Sequence, residues 1–290
     1  MLTMRRCDKF TILIEKCLLH SGQNSSPVKP RSGSNFSARL HRNVVALAAA
    51  CAVVTAPTLA DTPAFDRPGI AFSPTTLLAG SFVWEQGLPD FQRDRTDGVT
   101  QRAYSASTRW RYGVSSRWEL QLAAPLHEQI DTEGSGQAFT AAGAGDLSLA
   151  VKVGLTSGEE IFDMALLGVV SVPTAARDIG LESEQYSLGA TVGWSLGEQQ
   201  SLALYANVDL LEGQSTWTVS PSWGIALAES VGAYLEAGYQ FGSAHDQTDN
   251  VVAGGGLTWM VTPVVQLDTY GLVGLTRSST DLAAGIGVSL

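Results

Sequence analysis

Residues 117–126 read Arg-Trp-Glu-Leu-Gln-Leu-Ala-Ala-Pro-Leu: Trp118, Leu120, Leu122, Ala124 and Leu126 share one side of an extended chain, and Glu119 and Gln121 share the other. Alternation of this kind is the period of a strand, whose successive side chains point to opposite faces. The same pattern recurs on both sides of this stretch. In Asp146–Val153 the residues Leu147, Leu149, Val151 and Val153 oppose Ser148 and Lys152. Leu202, Leu204, Ala206, Val208 and Leu210 oppose Tyr205, Asn207 and Asp209, and Trp217, Val219, Trp223, Ile225 and Leu227 oppose Thr216, Thr218, Ser220 and Ser222. Near the end, Val265, Leu267 and Val273 oppose Gln266 and Asp268, and Leu282, Ile286, Val288 and Leu290 oppose Gly285, Gly287 and Ser289.

Collected along the chain, these segments predict twelve strands, at 75–86, 100–113, 117–129, 145–156, 161–172, 184–196, 201–211, 215–228, 231–242, 250–261, 264–276 and 280–290. The connections at 114–116, 157–160, 197–200, 229–230 and 262–263 are tight, and those at 87–99, 130–144, 173–183 and 243–249 are longer and acidic. Those at 212–214 and 277–279 are shorter than a strict alternation of turn and loop would give. Short turns at one end and longer loops at the other are the habit of a membrane barrel, with turns in the periplasm and loops outside. An even number of strands leaves both ends of the barrel on the periplasmic side. The expected fold is therefore all-β, a transmembrane antiparallel up-and-down β-barrel over residues 75–290.

Alternation alone does not say which face meets solvent, since a soluble barrel turns its apolar face inward. Charge helps to decide. Eight of the 18 Lys/Arg and two of the 28 Asp/Glu precede Asp61, which leaves ten bases against 26 acids, and the sole lysine among those bases is Lys152. A soluble domain covers itself with interspersed lysine and glutamate, which this chain lacks. The acidic balance also argues against nucleic acid as a partner. The faces opposite the apolar ones are mostly Gly, Ala, Ser and Thr with isolated charges, a poor solvent surface and a plausible lining. Aromatic residues fall near the strand ends: Trp110, Tyr112, Trp118, Trp194 and Trp259 by tight turns, and Tyr186, Trp217, Tyr239 and Phe241 beside longer connections. Two such belts match the interfacial girdles of membrane barrels. With the apolar face toward lipid, Arg109, Arg111, Glu119, Gln121, Lys152, Asn207, Asp209, Glu236, Gln240, Gln266 and Asp268 point into the lumen.

Residues 38–60 have a basic start at Arg39 and Arg42, an apolar run from Val44 to Val54 and small residues before Asp61, the pattern of a secretory signal peptide cut after Ala60. A run of about eleven apolar residues falls short of the ~20 that a spanning helix needs. Residues 1–37 carry no core-forming pattern and are expected to be an upstream or disordered extension. Residues 61–74 are expected to be a short periplasmic segment, too small for a plug domain, which argues against energised TonB-linked transport. Cys7, Cys17 and Cys51 all precede the cut, so no thiol is expected in the processed protein. No metal site or cofactor is expected, and the loop acids Asp90, Asp94, Asp97, Asp131, Glu133, Asp246 and Asp249 have no fixed ligand register.

Gly143-Ala144-Gly145-Asp146 leads into a strand, not a helix, and so reads as a bulged junction and not a phosphate loop. Gly254-Gly255-Gly256 marks a bend or a close approach of neighbouring groups. A barrel esterase would need a serine paired with His127 or His245, and no Gly-x-Ser-x-Gly elbow is present. The chain is not expected to be an enzyme.

Three pieces in order, residues 108–126 (TRWRYGVSSRWELQLAAPL), 143–155 (GAGDLSLAVKVGL) and 169–174 (VVSVPT), resemble the outer-membrane family labelled "MetA-pathway of phenol degradation" transporters. That family has a Tyr-Gly turn before an amphipathic strand with proline, then Gly-x-Gly-Asp-Leu with lysine, then a strand ending Pro-Thr-Gly. Here Ala175 stands for the last glycine, and the chain ends at Leu290 without a terminal aromatic residue. The resemblance implies an outer-membrane channel for passive or facilitated passage of small hydrophobic or aromatic compounds. The partners it implies are outer-membrane lipid and lipopolysaccharide, the barrel-assembly machinery and small solutes. A non-conducting structural or surface-binding barrel is the alternative, because opposite charges in the lumen can pair and close it.

Overall fold

The computed structural model describes residues 63–134, 136–156, 161–242 and 249–290; the expected extension, the signal peptide, the three cysteines, His245 and Asp246 lie outside them. The described residues hold thirteen strands: β1 (Phe82–Thr96), β2 (Val99–Gly113), β3 (Trp118–Gly134), β4 (Gln137–Gly143), β5 (Leu147–Gly154), β6 (Phe162–Val172), β7 (Gln185–Ser195), β8 (Gln200–Leu211), β9 (Gln214–Ala228), β10 (Val231–Gly242), β11 (Asn250–Thr262), β12 (Val265–Gly274) and β13 (Leu282–Ser289). Each barrel strand pairs antiparallel with its neighbours, and β1 pairs with β13 through Glu85↔Ser289 to Arg93↔Leu282, which closes the sheet.

The barrel is twelve-stranded with one extra strand, because β4 and β5 share one partner. Trp118–Ala123 of β3 pair with β5, and Glu128–Gly134 pair with β4. Ala144-Gly145-Asp146 separate β4 from β5, and Gly145 N donates to Pro125 O at 2.9 Å. Pro125 has no N–H to give, so the ladder breaks beside it.

The apolar face is the exposed one. Leu204, Leu235 and Leu257 are 44%, 60% and 48% exposed, whereas Arg111, Glu119 and Lys152 have no accessible surface. Such an inversion is the signature of a chain whose solvent is lipid. Among the described residues no helix is long and apolar enough to cross a membrane.

Three expectations from the sequence are corrected. The first strand starts at Phe82, not at residue 75, because residues 63–81 run inside the barrel in irregular conformation and fill part of it, although so short a segment was not expected to act as a plug. The segment 87–99 is not a loop: β1 and β2 continue to a two-residue turn at Asp97-Gly98, whose φ values of 52° and 81° suit a hairpin. The segment 130–144 is likewise a continued hairpin, β3 with β4. β1, β2 and β3 have 15, 15 and 17 residues, more than the ~9–11 that cross a bilayer, so their far ends stand clear of the lipid. Beyond the lipid, backbone pairing persists while the need for outward apolar residues vanishes, so alternation fades and imitates a loop.

The orientation of the apolar face has a direct test. Leu204→Arg, in the middle of β8, is expected to lower stability by ~2–4 kcal/mol in lipid-folded protein, measured by denaturant unfolding.

Candidate functional site

A ring of charges lies on the inner wall of β1, β2, β3 and β5, and the chain before β1 folds onto it. Alternation places Arg109 and Arg111 on one face of β2, with Arg111 opposite Gln121 and Val83 in the flanking strands. Arg111 is entirely buried. Its Nε and Nη2 donate to the two oxygens of Glu119 at 2.7 and 3.1 Å, and its Nη1 donates to Glu85 Oε1 at 2.8 Å and to Ala64 O at 2.7 Å. A planar guanidinium holds a carboxylate through two parallel bonds in this way. Stripping charges of water costs several kcal/mol per ion, so each must find partners inside the wall.

Residues 64–78 supply many of those partners and form a plug. The Asp66 carboxylate accepts from Lys152 Nζ at 2.8 Å, from Gln121 Nε2 at 2.9 Å and from Ser73 N at 2.9 Å, and its own N–H donates to Glu85 Oε1 at 2.7 Å. The bond to Ser73 closes residues 66–73 into a loop, in which Gly69 takes φ +120°, a conformation that favours glycine. Burial opposes ionisation of Asp66, but Arg111, Lys152 and Arg109 outweigh it and hold the carboxyl well below the usual carboxylate range. A depressed native pKa gives stability that is complete above the unfolded value of about 3.9 and is lost as pH falls through the native one. The latch therefore holds at neutral pH.

The rest of the plug is bonded or packed to β1, β8, β10, β12 and β13. Arg67 pairs with Asp90 and Asp268 at 3.3 and 3.2 Å, and Gln266 Nε2 donates to Arg67 O at 3.0 Å. Gly287 makes room for it: a Cβ there would meet Arg67 Nε at 2.5 Å. Ile70 N donates to Glu236 Oε2 at 2.9 Å. Phe72 packs edge-on against Tyr205 at 5.7 Å between centroids, and Lys152 Nζ sits 5.2 Å from the Phe72 ring. Leu77 N donates to Glu119 Oε2 at 2.9 Å on the way to β1.

The structure thus joins the sequence-derived residues Arg111, Glu119, Gln121, Lys152, Glu236, Gln266 and Asp268 to the plug. Arg109 stands apart, with its nearest carboxylate oxygens, on Asp66 and Glu85, 3.7 and 3.9 Å away. Asn207 is buried beside Gly189, and Asp209 accepts from Ser187 and Gln185. Gln240 donates to Thr218 and accepts from Asn250. These three lie on β8 and β10, and among the described residues their side chains make no hydrogen bond to the plug. Of the aromatic residues, Tyr112, Trp118, Tyr186, Trp217, Tyr239 and Trp259 are exposed, and Trp110 and Trp194 are half-buried.

Sequence reasoning missed Asp66, Arg67, Phe72, Glu85 and Asp90. One signal for Asp66 was present: the sole lysine after the signal region sits at an inward position and requires an acid.

Two motifs carried by the family resemblance also meet in space. Asp146 Oδ1 accepts from Ala175 N at 2.8 Å and Oδ2 from Leu181 N at 2.5 Å, so the Gly-Asp junction pins the connection after β6. The His127 side chain is exposed and makes no hydrogen bond among the described residues, and no group of three or more His, Cys, Asp or Glu there could hold a metal ion.

A family model described as "Putative MetA-pathway of phenol degradation" matches residues 65–290. The chain belongs to this family. Among solved structures, the fold is similar to an outer membrane channel from Pseudomonas putida F1 (TM-score 0.64, 13% identity, 77% of this chain and 98% of that one). It is also similar to the NanC porin (TM-score 0.50, 7% identity, 72% of this chain and 99% of that one). At these identities the likeness is one of fold. No curated protein matches the sequence.

Removing the latch tests the plug. Asp66→Ala strands Lys152 and Gln121 without their partner, and breaking a buried pair in this way costs about 3–5 kcal/mol. In planar bilayers the variant is expected to show several-fold higher single-channel conductance than wild type; an unchanged conductance in a folded barrel means that the plug does not limit passage.

Proposed function

We propose that the protein is a channel of the bacterial outer membrane through which small, hydrophobic or aromatic compounds pass by passive or facilitated diffusion. The observation that carries this reading is the inverted barrel: a polar, charged inner wall enclosed by an exposed apolar one, closed by β1 against β13. Family membership supports the solute class, since the family is described through phenol degradation. The solved structure with the higher similarity is described as an outer membrane channel, which agrees with the same reading.

The plug shapes what can pass. It fills the lumen beside β1, β2, β3 and β5, at the end taken as periplasmic by the turn rule, through the bonds of Asp66, Arg67 and Leu77 to the wall. A wide water-filled pore for large hydrophilic solutes is not favoured by this arrangement. The inner-wall and plug charges recorded in ion pairs or hydrogen bonds include more carboxylates than bases, so residual ion flow should favour cations.

Outer-membrane lipid and lipopolysaccharide are the surroundings this reading assigns to the exposed face, with the exposed aromatic residues at its two borders. The barrel-assembly machinery is the insertion route it implies. We assign no enzymatic role, and His127 offers no serine partner among the described residues for the esterase alternative.

The experiment is transport by protein purified from outer membranes. Liposomes containing it should take up a one-ring aromatic solute faster than empty liposomes, and bilayer recordings should show small, cation-preferring steps. A folded barrel that passes neither solute nor ions would move the assignment to a structural or surface-binding barrel.

A further inference from the structure

Ten bases follow Asp61, and most are accounted for by the lumen or by connections. Arg67, Arg109, Arg111 and Lys152 lie inside the barrel, and Arg117, Arg177 and Arg277 lie between strands. The remaining three are Arg93 and Arg95 on β1 and Arg102 on β2. We propose that these three form a binding site for a phosphate group of the outer-leaflet glycolipid, lipopolysaccharide. The proposal rests on the outer-membrane placement of the barrel and not on the passage of any solute.

The face on which they stand follows from the register. Arg93 is opposite Arg102, Arg95 is opposite Thr100, and Phe91 is opposite Tyr104. A period of two puts all six on one side of the sheet and Asp90, Gln92 and Asp94 on the other. Asp90 pairs with Arg67 of the plug, so its side is the lumen and the arginines face outward. Their height follows from the length of β1. Phe82, 60% exposed, begins the strand beside the chain end at Leu290, and Arg93 comes eleven positions after it. About 9–11 residues of a strand cross the bilayer, which sets the arginines at headgroup level. That is the end of the barrel away from Leu290, the outer one by the turn rule.

The chemistry of the patch calls for an anion. Like charges directly opposite in a sheet destabilise it. Arg93 and Arg95 are exposed and have no ion pair or hydrogen bond among the described residues. Arg102 has Glu133 at 3.1 Å, an exposed pair of the kind that contributes little. Asp131, opposite Arg102 on β3, is engaged by Gln129 and Thr140. A phosphate seated over β1 and β2 relieves the repulsion, and each guanidinium offers its oxygens a planar fork of donors. The patch also suits the acyl part of the ligand. Phe91 and Tyr104, with ring centroids 5.1 Å apart, lie on the same face one step nearer the membrane, and Leu282 lies opposite Arg93. A phosphate carried by an acylated sugar meets both the arginines and these apolar side chains, whereas a free phosphate meets the arginines alone.

The test is native mass spectrometry of the full protein extracted from outer membranes, titrated with lipid A (the phosphorylated anchor of lipopolysaccharide), with lipid A stripped of phosphate, and with inorganic phosphate. Lipid A is expected to bind one to one and about tenfold or more tightly than the stripped form. Arg93→Gln, Arg95→Gln and Arg102→Gln together should abolish that preference, whereas Arg177→Gln with Arg277→Gln, which removes charge from the connections, should leave it intact. Heat-modifiable gel mobility reports whether the variants fold, and the comparison of the two lipids needs only the unaltered protein. Equal binding of lipid A and its stripped form overturns the proposal, as does a preference that survives the triple substitution or is lost equally in the variant of the connections. Displacement of lipid A by inorganic phosphate at equal concentration also overturns it, because the site would then belong to the free anion.

Discussion

A polypeptide crossing lipid as strands must satisfy every backbone N–H and C=O within its own sheet, because the hydrocarbon offers no partner. That requirement closes β1 onto β13 and fixes the register of the barrel, since a slip of one residue would turn every lipid-facing leucine inward and every charge outward. The separation of faces follows from it. Leu120 and Leu122 can face lipid only while Glu119 and Gln121 face the lumen, and buried lumen charges then require partners that the wall alone does not supply.

The N-terminal segment answers that requirement. Arg111 finds Glu119 and Glu85 on neighbouring strands, but Lys152 has its carboxylate on the plug, at Asp66. The plug in turn has no regular structure of its own and is held by wall groups: Glu236 caps Ile70, Gln266 holds the Arg67 carbonyl, and Glu119 holds Leu77. Plug and wall are therefore one electrostatic unit. The bonds that hold the plug in the barrel are thus the same ones that give the buried charges of the wall their partners, with Asp66 at their centre.

The resemblance motifs acquire a physical meaning in the same terms. Gly145 sits where a Cβ would meet Pro125 Cγ at 2.5 Å, and Gly180 where one would meet Ala175 Cβ at 2.6 Å and Asp146 at 2.7 Å. The glycine–aspartate junction and the Pro-Thr turn are thus two halves of one clamp, with the Asp146 carboxylate bridging them. The Gly254–Gly256 run has a comparable reason. A side chain on Gly256 would strike Tyr234, and one on Gly254 would strike the backbone of Gly271 at 1.9 Å.

Sequence alone determined the fold class, the twelve strands around the barrel though not the extra β4, and the face on which each of Arg111, Glu119, Lys152 and Asp268 sits, because a period of two is a local property and lipid enforces it strictly within the membrane. It did not determine where β1 begins or that 87–99 and 130–144 continue as hairpins, because pairing beyond the lipid leaves no hydrophobic pattern to read. Nor did it determine the plug. Residues 64–78 are aperiodic, and the partners of Asp66 and Arg67 lie from 7 to 219 positions away, joined only when the sheet closes. Only the tertiary structure decided which charges are quenched and by which partners, because Arg109, Arg111 and Lys152 meet Asp66 only once the segment before β1 lies inside the closed sheet.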